Sequence, residues 1–205
     1  MNQLPFIQSI LGCICLIFLS SCAGNYASIG PEHIPYASSA TQGEVKMEYK
    51  YNLLKGKYAK KEANKGIRLV AVKIHNGSSR ELEVGQDIRL IYENGRELQV
   101  VGPETTFQSL RQGVAPYLLY LLLTPLQLNV STGNDTNTTR IGLVIGPALT
   151  LGNAGLAGSA NSLFKRELDE HQIYGITIQP GETRHGLVAI RSDSYEALTI
   201  VVKEN

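Results

Sequence analysis

The sequence predicts a mainly β protein, an antiparallel β-sandwich with an inserted apolar α-helical hairpin. Two patterns carry that expectation. Short alternating apolar and polar stretches separated by Asn-Gly and Pro-Gly turns fall in two blocks, 44–106 and 172–205, and the segment between them is almost free of charge.

The first block opens with strict alternation. Val45, Met47, Tyr49, Tyr51 and Leu53 share one face, and Glu44, Lys46, Glu48, Lys50 and Asn52 the other, as in a half-buried strand. Residues 67–74 are apolar on both faces except at Arg68 and Lys73, which predicts a central strand closed by the turn residues Asn76, Gly77, Ser78 and Ser79. Residues 81–84 form another short strand. Ile88, Leu90 and Tyr92 alternate up to Asn94-Gly95, after which Leu98 and Val100 resume, predicting a hairpin on a two-residue type I′ turn. In the second block Tyr174, Ile176 and Ile178 lead into Pro180-Gly181-Glu182. Residues 187–191 and the alternating Leu198, Ile200 and Val202 complete the set.

The insertion covers 107–171. Residues 112–134 and 141–164 contain no charge, and only Asp135 and Arg140 interrupt, within a polar turn. Pro116 suits the first turn of a helix over Tyr117, Leu118, Leu119, Tyr120, Leu121, Leu122, Leu123 and Thr124, before Pro125 breaks it. The second arm carries Gly142, Gly146, Gly152, Gly155 and Gly158, with the Gly142/Gly146 and Ala154/Gly158 spacings that bring helix backbones close. Beyond it Leu163, Phe164 and Leu168, with Lys165/Asp169 and Arg166/Glu170 four apart, predict an amphipathic surface helix. Two readings of the arms compete. Insertion in a bilayer would set Arg111, Lys165 and Arg166 at one membrane face. Pro125, Gln127, Asn129, Pro147 and Asn153 are poor bilayer residues and favour helices folded over an open sheet face.

At the N-terminus an uncharged apolar run, 5–19, leads into Leu19-Ser20-Ser21-Cys22. The run is shorter than the ~20 residues a membrane span needs, which points to a removed targeting segment. It resembles a bacterial lipoprotein signal with its lipobox, although 1–21 lacks the usual Lys or Arg. The resemblance implies cleavage before Cys22, diacylglycerol on its thiol, and a mature chain anchored to the cell envelope. Ala23, where an Asp would mark retention, implies the outer membrane. Residues 22–43, rich in Ser, Ala, Gly and Pro, then read as a lipidated Cys on a flexible tether to a domain of 44–205. The Pro180-Gly181-Glu182-Thr183 turn followed by Gly186-Leu187-Val188 resembles the late hairpin of immunoglobulin-like domains of envelope lipoproteins. The two strand blocks together approach the ~100 residues of an immunoglobulin-like β-sandwich.

Cys13 and Cys15 fall in the removed segment, so no free thiol remains for a disulfide or a nucleophile once Cys22 is acylated. Nineteen basic against eighteen acidic residues give no global field for nucleic acid. His33, His75, His171 and His185 have no metal-ligand spacing, and no nucleophile elbow or phosphate loop occurs. Asp135-x-Asn137 begins like a calcium loop but reaches Gly146 where a bidentate Glu is required. One local charge asymmetry stands out: nine Lys or Arg against three Glu over 44–73, with Lys55, Lys57, Lys60, Lys61 and Lys65 in an expected loop able to meet an anionic surface. The expectation is a non-catalytic envelope lipoprotein without cofactor. Its hairpin would contact membrane lipid or a membrane-protein partner. A lipid- or glycan-binding module with the hairpin as lid is the alternative, and a divergent hydrolase the third.

Overall fold

A computed structural model describes residues 23–132 and 135–203. The lipobox and Cys22 lie outside the described residues. In chain order the elements begin with β1 (Ser38–Gln42), β2 (Val45–Lys50), α1 (Gly56–Lys65), β3 (Ile67–Asn76), β4 (Leu82–Glu83) and β5 (Ile88–Tyr92). Then come β6 (Val100–Val101), α2 (Pro103–Leu110), a 3₁₀ helix (Ala115–Leu123), β7 (Leu128–Thr132), β8 (Asp135–Thr139) and α3 (Gly142–Glu170). β9 (Thr177–Ile178), β10 (Thr183–Arg191) and β11 (Leu198–Val202) end the chain. The sheets are antiparallel, but helix at 33% slightly exceeds strand at 30%, so the class is mixed α/β and not mainly β. The excess comes from α1 and from the long α3.

The chain divides into two compact units: 26–111 with 161–203, and a smaller one of 23–25 with 112–160. In the larger unit the main sheet runs β1-β2-β3-β10-β6, and β11-β5 and β4-β9 form separate pairs. β3 and β10 make its longest ladder, Thr183 opposite His75 through Arg191 opposite Ile67. One core joins Met47, Val72, Ile74 and Ile190 of the main sheet to Leu82, Ile88, Leu90 and Ile200 of the smaller pairs. At ~1.5–3 kcal/mol for each large apolar side chain buried, this cluster dominates the unit's stability. Beside it, Phe164 of α3 meets Tyr58 of α1 at 4.9 Å, Tyr26 at 5.3 Å and Phe107 of α2 at 6.3 Å between ring centroids.

Four local expectations change. The Asn94-Gly95 hairpin is minimal and is not type I′: Tyr92 N–H donates to Arg96 O at 2.9 Å and Ile91 bridges Glu97 antiparallel, but Gly95 has φ +87° and Asn94 does not have positive φ, which a type I′ turn needs at both. β5 makes its long ladder with β11, and Val100 and Val101 join β10 instead of continuing the hairpin. The expected tether is part of the fold from Tyr26 onward, and Ser38–Gln42 pairs with β2 as an edge strand. The lysine-rich loop is helix α1, ended by Gly66 at φ +58°, where a Cβ would also stand 2.7 Å from Asp193 Oδ1. The helical hairpin is a nine-residue 3₁₀ helix, a two-stranded β7–β8 ribbon in place of the polar turn, and one continuous helix α3 that merges the second arm with the amphipathic segment.

α1 is held to the sheet by its single acid. β2 stops at Lys50 opposite Ala71, so the Leu69 N–H beyond it lacks a strand partner, and buried Glu62 accepts it at 2.8 Å. Burial pushes the Glu62 carboxyl above its ordinary 4.5, with the Leu69 hydrogen bond and the Arg68 charge opposing. The folded state holds this proton to higher pH than the unfolded chain. The resulting stabilisation is complete below 4.5 and is lost as pH rises through the raised folded value. Urea unfolding of Glu62→Gln at stepped pH should lack this decline, and matching pH profiles for variant and wild type would refute the assignment.

Candidate functional site

The smaller unit is built with its polarity reversed. Along α3 the buried positions are Gly142, Gly146, Thr150, Asn153, Ala157 and Ala160, a helical stripe of small and polar residues. Leu143, Val144, Ile145, Leu149, Leu151 and Leu156 point outward, Val144 and Leu151 being 71% and 73% exposed. The 3₁₀ helix repeats the pattern: Tyr117 and Tyr120 are buried, whereas Leu118, Leu119, Leu121 and Leu122 are exposed. Among the described residues, twelve of the sixteen exposed large apolar side chains belong to this unit, which has no charge between 112 and 134 or between 141 and 160. α3 is long and apolar enough to cross a membrane, and only 28% of its most apolar window is buried.

Close backbone contact explains the inward stripe. A Cβ on Gly142 would stand 2.1 Å from the Leu123 carbonyl, and one on Gly146 2.9 Å from that of Tyr120, so the 3₁₀ helix lies against α3 where only glycine fits. Gly152, Gly155 and Gly158 face open space instead. The glycine series thus splits into two packed positions and three outward ones. Tyr117, Tyr120, Gly142 and Gly146 leave the set expected to meet a membrane or partner. Leu118, Leu119, Leu121, Leu122, Gly152, Gly155 and Gly158 stay in it, and half-buried Leu123 packs against the Tyr117–Tyr120–Ala157 cluster.

The inward polar groups have assigned partners. Thr150 Oγ1 donates to the carbonyls of Gly146 at 2.9 Å and Tyr117 at 3.2 Å. Asn153 Nδ2 donates to Leu149 O at 2.9 Å, while its Oδ1 accepts Ala23 N–H at 2.7 Å. Gln112 grips Gly24 twice, Oε1 accepting its N–H at 3.0 Å and Nε2 donating to its carbonyl at 2.6 Å. The two residues that follow Cys22 are therefore fixed against the apolar unit by two buried amides.

In the larger unit buried Glu167, near the C-terminal end of α3, collects four donors. Ser28 Oγ and the N–H groups of Ile29 and Gly30 reach Oε1 at 2.8 Å each, and the Tyr26 hydroxyl donates to Oε2. Arg166 and Glu170 pair along the helix at 3.8 Å, and Lys165 contacts Asp169 at 3.3 Å and Glu104 at 2.8 Å. On α1 the inward face is Tyr58 and Glu62, with Lys60 and Lys65 exposed and Lys57 and Lys61 half-buried; Lys55 is exposed at the helix start. A cavity bounded by Leu69, Val101, Pro103, Thr106, Leu168 and Leu187 has only about 60 Å³, whereas open clefts of about 390 Å³ beside Glu93, Asn94 and Glu196 and about 340 Å³ beside Arg96, Gln99, Arg191 and Asp193 reach the ~300 Å³ of a small-molecule site. His171 Nδ1 lies 3.4 Å from Glu32 and His75 Nδ1 3.0 Å from Thr183 Oγ1.

Asn153, Gln112 and Glu167 are the residues that sequence reasoning missed. Both amides are polar residues in charge-free arms; in the sequence Asn153 counts only against insertion, and nothing singles out Gln112. Glu167 bonds residues some 140 positions away, which no local spacing reveals. No family profile, curated protein or solved structure matches the chain.

Removing the Glu167 carboxylate strands four donors, so Glu167→Ala should cost about 3 kcal/mol or more. Hydrogen exchange should show the Ile29 and Gly30 amides losing protection. Unchanged exchange there would refute the anchoring role.

Proposed function

We propose that the protein is a non-catalytic lipoprotein of the cell envelope, anchored through an acylated Cys22 and held to the bilayer a second time by its smaller unit. The observation that carries this reading is the reversed polarity: leucines outward, and Gly142, Gly146, Thr150, Ala157 and two amides inward. In water an apolar face is stable only when buried, whereas in lipid large aliphatic residues face out and small or hydrogen-bonded polar residues pack the interior. The inward Asn153 then no longer argues against a bilayer, because its polar atoms bond the main chain at Ala23 and Leu149, and Gln112 is likewise satisfied by Gly24. Two further observations support the same reading. Clamping of the residues next to Cys22 would start the acyl chains beside α3, making one continuous apolar surface. The apolar unit extends about 28 Å along α3 from Gly142 to Ala160, at ~1.5 Å per residue, enough to cross most of a ~30 Å hydrocarbon core.

For the larger unit we propose an immunoglobulin-like sandwich, supported by the single core to which the main sheet and the β5–β11 pair both contribute. Outer-membrane placement follows from the lipobox resemblance and from Ala23.

The test replaces 1–22 with an ordinary secretory signal, so that no lipid is attached, and follows the protein through carbonate extraction. It should stay in the membrane pellet. The double variant Leu122→Lys/Leu151→Lys should move to the supernatant with an unchanged circular dichroism spectrum. Recovery of the unacylated wild type as a soluble monomer would overturn the membrane reading.

A further inference from the structure

We propose that the basic face of α1, together with Arg111, is a docking surface for anionic phospholipid headgroups that forms where the chain enters the apolar unit. The inference rests on the membrane reading above and names the lipid chemistry it requires.

α1 is charged against its own stability. Lys57, Lys61 and Lys65 repeat at i,i+4, where like charges repel, and Lys60 lies beside them. Lys55 and Lys57 sit at the positive end of the helix dipole, and the first turn contains no acid. Neither choice serves the fold. Among the described residues no acid lies within ion-pair distance of Lys55, Lys60, Lys61, Lys65 or Arg111. The helix's one carboxylate, Glu62, is turned inward onto Leu69 N–H. Burial, and then the charges of Lys65 and Arg111, lower the Lys61 pKa, as expected where cations crowd without a counter-ion.

Covalent connection ties this face to the apolar unit. Lys61 Nζ donates to the Arg111 carbonyl, and Arg111 is joined by one peptide bond to Gln112, the first residue of that unit. The chain returns from the unit at Asn161, and Lys165 follows within about one helical turn. Arg111 and Lys165 approach the same Phe107 ring, at 5.9 and 5.4 Å from its centroid. Lys165 is paired with Glu104 and Asp169, whereas among the described residues Lys55, Lys60, Lys61 and Lys65 have no acid at ion-pair distance and Arg111 acts on Glu104 only from beyond it. If 112–160 lie in lipid, Arg111 stands at headgroup depth whatever the orientation of the larger unit. A bilayer phosphate then supplies the counter-charge missing from the chain.

The full-length acylated protein is reconstituted in nanodiscs of phosphatidylcholine alone or mixed with phosphatidylglycerol, and lysine acetylation is followed residue by residue. Lys60, Lys61 and Lys65 should react at least ~5-fold more slowly in the anionic discs, the factor that attraction of one surface lysine to an anionic leaflet corresponds to. Lys46 and Lys203 should not change, and added salt should restore the rates. Equal rates in the two discs would overturn the proposal. So would protection by inorganic phosphate in neutral discs, which would identify a soluble anion as the ligand. A fluorophore on Leu151→Cys, read by lipid-depth quenching in the same discs, reports the apolar unit separately. Quenching without lysine protection removes the headgroup contact alone, and a probe left in water in both discs removes the membrane reading.

Discussion

A single helix carries two opposite burial patterns, and both units depend on it. From Gly142 to Ala160 α3 hides glycine, threonine, asparagine and alanine and exposes leucine, valine and isoleucine. From Asn161 to Glu170 it hides Phe164, Glu167 and Leu168 and exposes Arg166, Asp169 and Glu170, with Lys165 half-buried, in the ordinary manner of a helix in water. The backbone is continuous through the change. The covalent structure therefore links a unit suited to an apolar surrounding to one suited to an aqueous surrounding, and the boundary between them falls within a turn or so of residue 160.

Two polar groups buried on α3, Asn153 and Glu167, and a third before the 3₁₀ helix, Gln112, share a second property: each has partners in the segment after Cys22. Asn153 and Gln112 hold Ala23 and Gly24 in one unit, and Glu167 holds 26–30 in the other. Each buried polar atom would cost on the order of 1–3 kcal/mol if left unpaired, so the clamp stabilises α3 as much as it orders the N-terminal segment. A composition of Ser, Ala, Gly and Pro suggests a flexible tether. Here the same small residues let the backbone approach the helix and donate its N–H groups. Under the proposed reading the acyl anchor has little slack relative to the smaller unit, whose buried amides hold Ala23 and Gly24.

The strands were largely legible. β2, β3, β5, β10 and β11 fall where alternation or continuous apolar runs put them, because a side chain's face is set by its parity along a strand. Pairing was less legible. The Asn94-Gly95 turn closes a hairpin only as far as the Ile91–Glu97 bridge, and β5 makes its full ladder with β11, more than 100 residues away, where Leu90 and Tyr92 share one core with Leu198 and Ile200. The lysines at 55–65 read as a loop because charge hid the two inward residues, Tyr58 and Glu62, that make the segment a helix. In the apolar arms the charge-free composition was plain, but it did not distinguish Tyr117 and Tyr120, which turn inward, from the leucines beside them.

What the sequence determined by itself was the antiparallel character of the strands, the apolar and uncharged nature of 112–134 and 141–164, and the local excess of basic residues over 44–73. These follow from periodicity and composition, which need only near neighbours in the chain. Tertiary structure alone decided which face of each apolar arm is hidden, that small and polar residues take that face, and that three buried polar side chains, Gln112, Asn153 and Glu167, reach back to 23–30. Those outcomes depend on hydrogen bonds between residues 88 to 141 positions apart, and the free energy of such contacts exists only once the chain has closed on itself.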